Sequence, residues 1–143
     1  KLWWMFNASM FSCFKANFQE FLDIFANTYE AEGGCKVNKD VLRWQILLTS
    51  LWNTMFMVKA IPNCYKMLPQ SHWSDILSID DPRIVANTGG KSTLRTTVQV
   101  LGNGLQALEE LGTDQALERW ITEIYEGQWQ RRQLTHKEIY GSA

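Results

Sequence analysis

Residues 86–93 contain Gly90, Lys91 and Ser92, the residue types that end a phosphate-binding loop. In complete loops of this kind, an earlier glycine follows a strand directly and stands five positions before the second glycine. That position is Val85 here, and residues 80–85 are too polar and proline-interrupted for a buried parallel strand. We therefore interpret the glycines as a turn before a helix. Gly90, Lys91 and Ser92 stay as candidates for an anion site at that helix start.

Two other short patterns hold residue types that are used in acid–base or metal chemistry. His72 and Asp75 could form an acid–base pair, but helix capping by the neighbouring serines explains the pattern as well. Asp80 and Asp81 precede Pro82, which is typical of a turn, and two carboxylates supply too few oxygens for a closed metal site. The sequence thus predicts no catalytic residue, no metal ligand and no cofactor held by this chain itself.

The composition is that of a globular protein with an unusually aromatic core or surface. Hydrophobic residues make up 45% of the 143 residues and charged residues 20%, which excludes a disordered chain. The net charge is −1, so the basic surface that nucleic acids require is absent. Seven tryptophans and seven phenylalanines imply either a large buried apolar area or a sizeable interface.

The three cysteines, Cys13, Cys35 and Cys64, show no spacing typical of a metal site. A sparse, odd set of this kind favours reduced thiols in an intracellular reducing compartment, although one disulfide stays open. The sequence leaves the organelle undetermined.

The first third of the chain has the periodicity of amphipathic helices. We predict a short apolar helix or a buried helix end over residues 3–14. A second helix is predicted over residues 16–32, where apolar residues recur at helical spacing. Gly33 and Gly34 are expected to end the second helix.

A third helix is expected from the capping residue Asn38 to about Ile61, where Pro62 ends it. Its apolar residues cover almost every face, which predicts a central, largely buried helix. The uninterrupted apolar part is shorter than the roughly 20 residues of a membrane span, and Asn53 and Lys59 interrupt it. A membrane span is therefore not expected.

The rest of the chain predicts one irregular segment and two further helices. Residues 62–91 contain three prolines and read as a long irregular connection. One helix is expected over residues 93–111, capped by Ser92 or Thr93, and the next begins with Thr113 or Asp114 as its cap. Together these elements predict an all-α fold, a single domain of four or five packed helices over residues 1–132, followed by a polar tail over residues 133–143.

Residues 21–53 resemble the C-terminal helical region of aminoglycoside phosphotransferase-like kinases. Those proteins often carry a Tyr-Glu-x-x-x-Gly-x-x-Val stretch, and a helix rich in aromatic and aliphatic residues follows it. The corresponding residues here are Tyr29-Glu30, Gly33 or Gly34, Val37, and Leu42-Arg43-Trp44. The opening residues Leu-Trp-Trp-Met-Phe-Asn-Ala-Ser-Met are similar to the helix that follows the family's metal-binding segment, so the resemblance covers about residues 1–65.

The resemblance implies a substrate-side helical subdomain of an enzyme that transfers the γ-phosphoryl group of ATP to a small-molecule hydroxyl. In that family an N-terminal lobe holds ATP, a His-x-Asp loop is catalytic, and a separate aspartate binds magnesium. No His-x-Asp occurs in this sequence, so no catalytic residue of the family can be assigned to it. ATP and Mg²⁺ are then expected only with a missing N-terminal lobe upstream of Lys1.

An alternative interpretation is a non-catalytic helical subunit that docks through aromatic surfaces in a larger protein assembly. Trp3, Trp4, Phe6 and Trp73 are the candidate interface residues in either case. The partner is the missing lobe in the first interpretation and another protein, including a membrane-protein neighbour, in the second. Both interpretations predict an exposed apolar surface around residues 2–14.

Overall fold

The computed structural model of the chain describes residues 2–89 and 92–128, with only the backbone at positions 88, 89 and 92. Over these ranges the predicted all-α single domain is confirmed. Its long helices are α2 (Phe11–Ala31), α3 (Lys39–Val58) and α6 (Leu94–Glu110). The shorter helices are α1 (Leu2–Asn7), α4 (Ile61–Met67), α5 (Pro82–Val85) and α7 (Thr113–Arg119), which continues as a π-helix over Trp120–Glu126.

The non-α elements are small. A 3₁₀ turn covers Gln70–His72, and the strands β1 (Thr88–Gly89) and β2 (Ser92–Thr93) form an antiparallel pair of two residues each. In the described ranges, no helix is long and apolar enough to cross a membrane. The predicted polar tail over residues 133–143 lies outside the described residues.

The helix predicted over residues 3–14 is divided into α1 and the start of α2. The chain bends at residues 8–10, where carbonyl groups lose their helical partners. Asn103 of α6 replaces those partners, because its side-chain amide donates to the carbonyls of Asn7 at 2.9 Å and Ser9 at 2.8 Å. The division therefore depends on a residue more than 90 positions away in the sequence.

The end of α2 and the start of α3 follow the sequence predictions closely. Gly33 takes a positive φ of 88° just after α2, a conformation that glycine adopts without steric cost. Asn38 caps α3, since its side-chain oxygen accepts from the backbone N–H groups of Asp40 at 3.0 Å and Val41 at 3.1 Å.

The main core lies where α1 and α2 pack with α3, α6 and α7. Its fully buried members are Trp3, Phe11, Phe14, Phe18, Leu22, Ile46, Leu47, Ala107, Leu111 and Ala116. A smaller second core joins α4, α5 and the start of α6 through Cys64, Leu68, Ile84 and Leu94. This second core packs the described part of the segment predicted to be irregular against α6. That part also contains the short helices α4 and α5.

Helix α3 differs from its prediction in length and in burial. It ends at Val58, and Pro62 lies in the first turn of α4 instead of ending α3. Proline is tolerated there because the first helical N–H groups have no intrahelical acceptor. The expectation of a largely buried helix is wrong in the second half, where Trp52 is 71% exposed.

Of the predictions for the caps of α6 and α7, the one for α6 is confirmed and the one for α7 is wrong. Thr93 caps α6, because its hydroxyl oxygen accepts from the N–H of Thr96 at 3.2 Å. Gly112, with a φ of 74°, is the residue that precedes α7, and Thr113 is already helical. The hydroxyl of Thr113 donates instead to the carbonyl of Ala107 at 2.8 Å and joins α7 to α6.

Candidate functional site

An apolar groove of about 460 Å³ runs between α1 and the second half of α2, and we call it the α1–α2 groove. Its lining residues are Leu2, Met5, Phe6, Phe21, Ile24, Phe25, Thr28, Tyr29 and Glu32. Met5 is 69% exposed and Ile24 is 55% exposed at its edges. Exposed apolar side chains gathered around a concave surface are typical of a contact site for a ligand or another protein.

Three aromatic residues near the start of the chain, Trp3, Trp4 and Phe6, were predicted to form an interface. They lie in three different environments. Trp3 is 1% exposed and packs edge-on against Phe14, with ring centroids 5.8 Å apart, so it belongs to the core. Phe6 is half-buried and stacks on Phe21 at 5.2 Å, forming part of the groove floor. Trp4 is 51% exposed and is available to a partner.

The Tyr29–Val37 stretch forms a tightly bonded turn. The N–H of Gly34 donates to the carbonyl of Tyr29 at 2.9 Å, and a Cβ at Gly34 would overlap the tyrosine ring. The carboxylate of Glu30 accepts from the N–H of Val37 at 2.7 Å. Tyr29 stacks on Phe25 at 6.1 Å, so this turn forms one end of the α1–α2 groove.

Two side chains of α3, Arg43 and Trp44, join this helix to its neighbours. The indole N–H of Trp44 donates to the carbonyl of Ala116 at 2.6 Å, which fixes α7 against α3. The guanidinium of Arg43 lies 4.7 Å above the ring of Phe18, a cation–π contact between α3 and α2. Both side chains therefore stabilise the packing of α3 against the neighbouring helices.

A second exposed apolar surface, which the sequence did not predict, lies on α3. Trp52, Met55 and Phe56 form it, and we call it the α3 stripe. The opposite side of the same turns carries Ser50 and Thr54, which are both buried. The sequence signal was present in the i, i+3, i+4 spacing of the apolar residues, but the buried side is the more polar one.

Trp73, the fourth predicted interface residue, lies away from the α1–α2 groove. Its ring packs on the second core, and its indole N–H donates to the carbonyl of Leu68 at 2.9 Å. It lines an apolar cavity of about 280 Å³ together with Cys64 and Tyr65. Burial raises the pKa of the Cys64 thiol, which keeps it protonated and unreactive.

The carboxylates near His72 are engaged by arginines. Arg83 bonds Asp75 at 2.9 Å and Asp81 at 2.7 Å, and Arg95 bonds Asp80 at 2.8 Å. The hydrogen bond from the Arg83 side chain lowers the pKa of Asp75 and, with a second bond from the Arg83 backbone N–H, lowers the pKa of Asp81 to about 2. These pairs give the acidic residues a structural role around α5.

The remaining predicted site residues fall at the edge of the described part of the chain. Gly90 and Lys91 lie outside it, and Ser92 contributes its backbone to β2. Within residues 2–89 and 92–128, no group of three or more His, Cys, Asp or Glu side chains could hold a metal ion. The three cysteines are free, with Cys64 buried and the other two exposed.

Comparisons with family models, with curated proteins and with solved structures each found no match to this chain.

Proposed function

We propose that this chain is a helical subdomain on the substrate side of an ATP-dependent small-molecule phosphotransferase, whose catalytic residues belong to another part of the enzyme. The observation that carries the proposal is the position of Tyr29. It belongs to the stretch that resembles the phosphotransferase-like kinases, and its ring also forms one end of the exposed α1–α2 groove.

The role proposed for this chain is to bind the acceptor molecule and to exclude water from the reaction. In phosphoryl transfer the protein mainly positions the reactants and stabilises charge on the transferred group. The ATP lobe and its metal would supply that charge stabilisation. The apolar walls of the α1–α2 groove, with Phe6 and Phe25 among them, would hold the body of the acceptor and close against the lobe.

A second candidate function is a non-catalytic helical subunit that docks on a different protein. The α3 stripe favours it, because Trp52, Met55 and Phe56 stand together on one side of a helix. Tryptophan, methionine and phenylalanine are enriched in the centres of protein interfaces.

The two candidates place the covered surface on different sides of the chain, and methionine oxidation can separate them. Met5 lines the α1–α2 groove and is 69% exposed, whereas Met55 of the α3 stripe is 62% exposed. The protein purified from its native source is treated with mild peroxide. Mass spectrometry of its peptides then gives the oxidation rate of each methionine. The isolated chain of residues 1–143 provides the reference rates.

The proposed phosphotransferase function predicts slow oxidation of Met5, fast oxidation of Met55, and ATP-dependent phosphorylation of a small hydroxyl compound by the native protein. Ile24→Lys, at the edge of the groove, is expected to abolish that protection and activity, whereas Ile121→Lys on the π-helix serves as the control. Slow oxidation of Met55 alone, without ATP consumption, would support the docking subunit instead. Reference rates at both methionines would contradict both candidates.

A further inference from the structure

A separate pocket of about 320 Å³ opens between α3 and the junction of α6 with α7. Its polar lining comes from Asp40 and Arg43 of α3 and from Gln115 and Arg119 of α7. Trp44 and Leu47 are among the residues that provide apolar walls. The pocket thus combines cationic and amide donors with apolar surface, a combination suited to a small organic ligand.

Arg43 is distinguished from the other arginines in the described ranges by its lack of a carboxylate partner. Arg83, Arg95 and Arg119 each have an acidic oxygen within 3.0 Å, whereas no carboxylate of residues 2–89 or 92–128 lies within 4.0 Å of Arg43. Its guanidinium lies over the ring of Phe18, and within the same ranges its N–H donors have no acceptor. A half-buried guanidinium with unused donors is a site for an anion.

Arg119 and Asp40 also carry charge in the lining of the pocket. With Arg43 they give the lining a net charge of +1, which the carboxylate of Glu123, the partner of Arg119, offsets. Arg119 directs its Nε to Glu123 at 3.0 Å, and its guanidinium lies 5.2 Å above the ring of Trp44. Asp40 makes no ion pair with Arg43, although the two residues are one helical turn apart.

We propose that this pocket binds a small organic oxyanion, a carboxylate or a phosphate monoester, through the guanidinium of Arg43. The planar guanidinium offers two parallel N–H donors that match two oxygens of such a group. The amide of Gln115 supplies a further donor, and the apolar walls beside Trp44 receive the body of the ligand. This proposal does not depend on the proposed function, because all of its residues belong to this chain.

Benzoate and benzamide are a suitable pair of probes, because they share a ring and a shape and differ in charge. Isothermal titration of the chain of residues 1–143 is expected to detect benzoate and to give a Kd at least about tenfold weaker for benzamide. Inorganic phosphate is expected to displace benzoate. A failure of phosphate to do so, with benzoate bound, restricts the ligand to carboxylates.

Three variants test the assignment to Arg43. Arg43→Gln is expected to weaken benzoate binding about tenfold or more, and Arg43→Lys less than that, since it keeps the charge but loses the planar fork. Gln115→Glu, on an exposed position, leaves Arg43 in place but adds a carboxylate that competes with the ligand, so it is also expected to weaken binding. Arg95→Gln removes the same charge elsewhere and is the control.

The proposal is overturned if benzoate and benzamide bind equally well, or if neither benzoate nor phosphate binds the chain at up to about 10 mM. Equal benzoate affinity of the wild type and of Gln115→Glu also overturns it. That variant changes no core contact, so its result stands even if Arg43→Gln fails to fold.

Discussion

Gly104 of α6 packs so closely against Thr54 of α3 that a Cβ on the glycine would overlap the threonine hydroxyl oxygen. The hydroxyl of Thr54 is satisfied at this contact, because it donates to the carbonyl of Ser50 at 2.7 Å. Small residues on both helices therefore allow a short distance between their axes. Trp52, Met55 and Phe56 of α3 lie on the outer side of the helix.

Replacing Gly104 by alanine is expected to lower the free energy of unfolding by about 1–3 kcal/mol, because the new methyl group has no space. Gly102 lies in the same helix, and a Cβ there would meet nothing within 4 Å. Gly102→Ala is therefore expected to stabilise the protein by about 0.5–1 kcal/mol. Urea denaturation of both variants checks the contrast.

A third variant tests whether overlap with Thr54 is the cause of the stability loss in Gly104→Ala. Thr54→Ala removes the atoms that would overlap most, so Gly104→Ala should cost less in that background than in the wild type. Equal costs in the two backgrounds would mean that the helices do not meet at this pair.

Local residue chemistry was sufficient to predict three of the helix ends. Asn38 and Thr93 cap their helices as expected, and Gly33 supplies the positive φ after α2. Each of these signals acts over fewer than four residues, so the sequence nearby contains all the information that is needed.

The features that the sequence did not predict depend on distant partners. The division of residues 3–14 requires Asn103, and the exposure of Trp52 requires Gly104 to face Thr54. The α1–α2 groove was predicted only as an apolar surface around residues 2–14, because its other wall comes from the far end of α2. Hydrophobic periodicity identifies which residues share a side, but it does not specify which side meets the core.

The turn that follows α2 can be tested at Glu30. Glu30→Ala removes the acceptor that holds the N–H of Val37 at 2.7 Å, and we expect a loss of about 1–2 kcal/mol in the free energy of unfolding. Glu30→Gln keeps an oxygen at the same place and should lose less. If the two variants have the same stability, the bond to Val37 does not hold the turn.

Asn103 provides a test of the bend between α1 and α2. Asn103→Ala removes the donor to the carbonyl of Asn7 and one of the two donors to the carbonyl of Ser9, which also accepts from Gln99, and this should cost about 1–3 kcal/mol. Asn103→Asp should cost more at neutral pH, because a carboxylate would face two carbonyl oxygens, and it should recover partly in acid. Gln106→Ala, on the exposed side of the same helix, is the control for thermal unfolding.

The last test concerns the dependence of stability on pH around Asp81. Its pKa is lowered to about 2 by hydrogen bonds from the side chain and the backbone N–H of Arg83, so the folded state binds a proton less readily than the unfolded state, whose value is near 3.8. The resulting stabilisation is therefore fully present above about pH 4 and is lost as the pH falls toward 2.

Asp81→Asn isolates this effect, because asparagine can still cap α5 by accepting from the N–H of Arg83. Between pH 5 and pH 2 the Tm of the wild type should fall further than that of Asp81→Asn, and the two should converge near pH 2. Asp75→Asn, which removes the more exposed partner of Arg83, should keep most of the wild-type fall. Parallel curves for the wild type and Asp81→Asn would show that the bond from Arg83 to Asp81 does not stabilise the folded state.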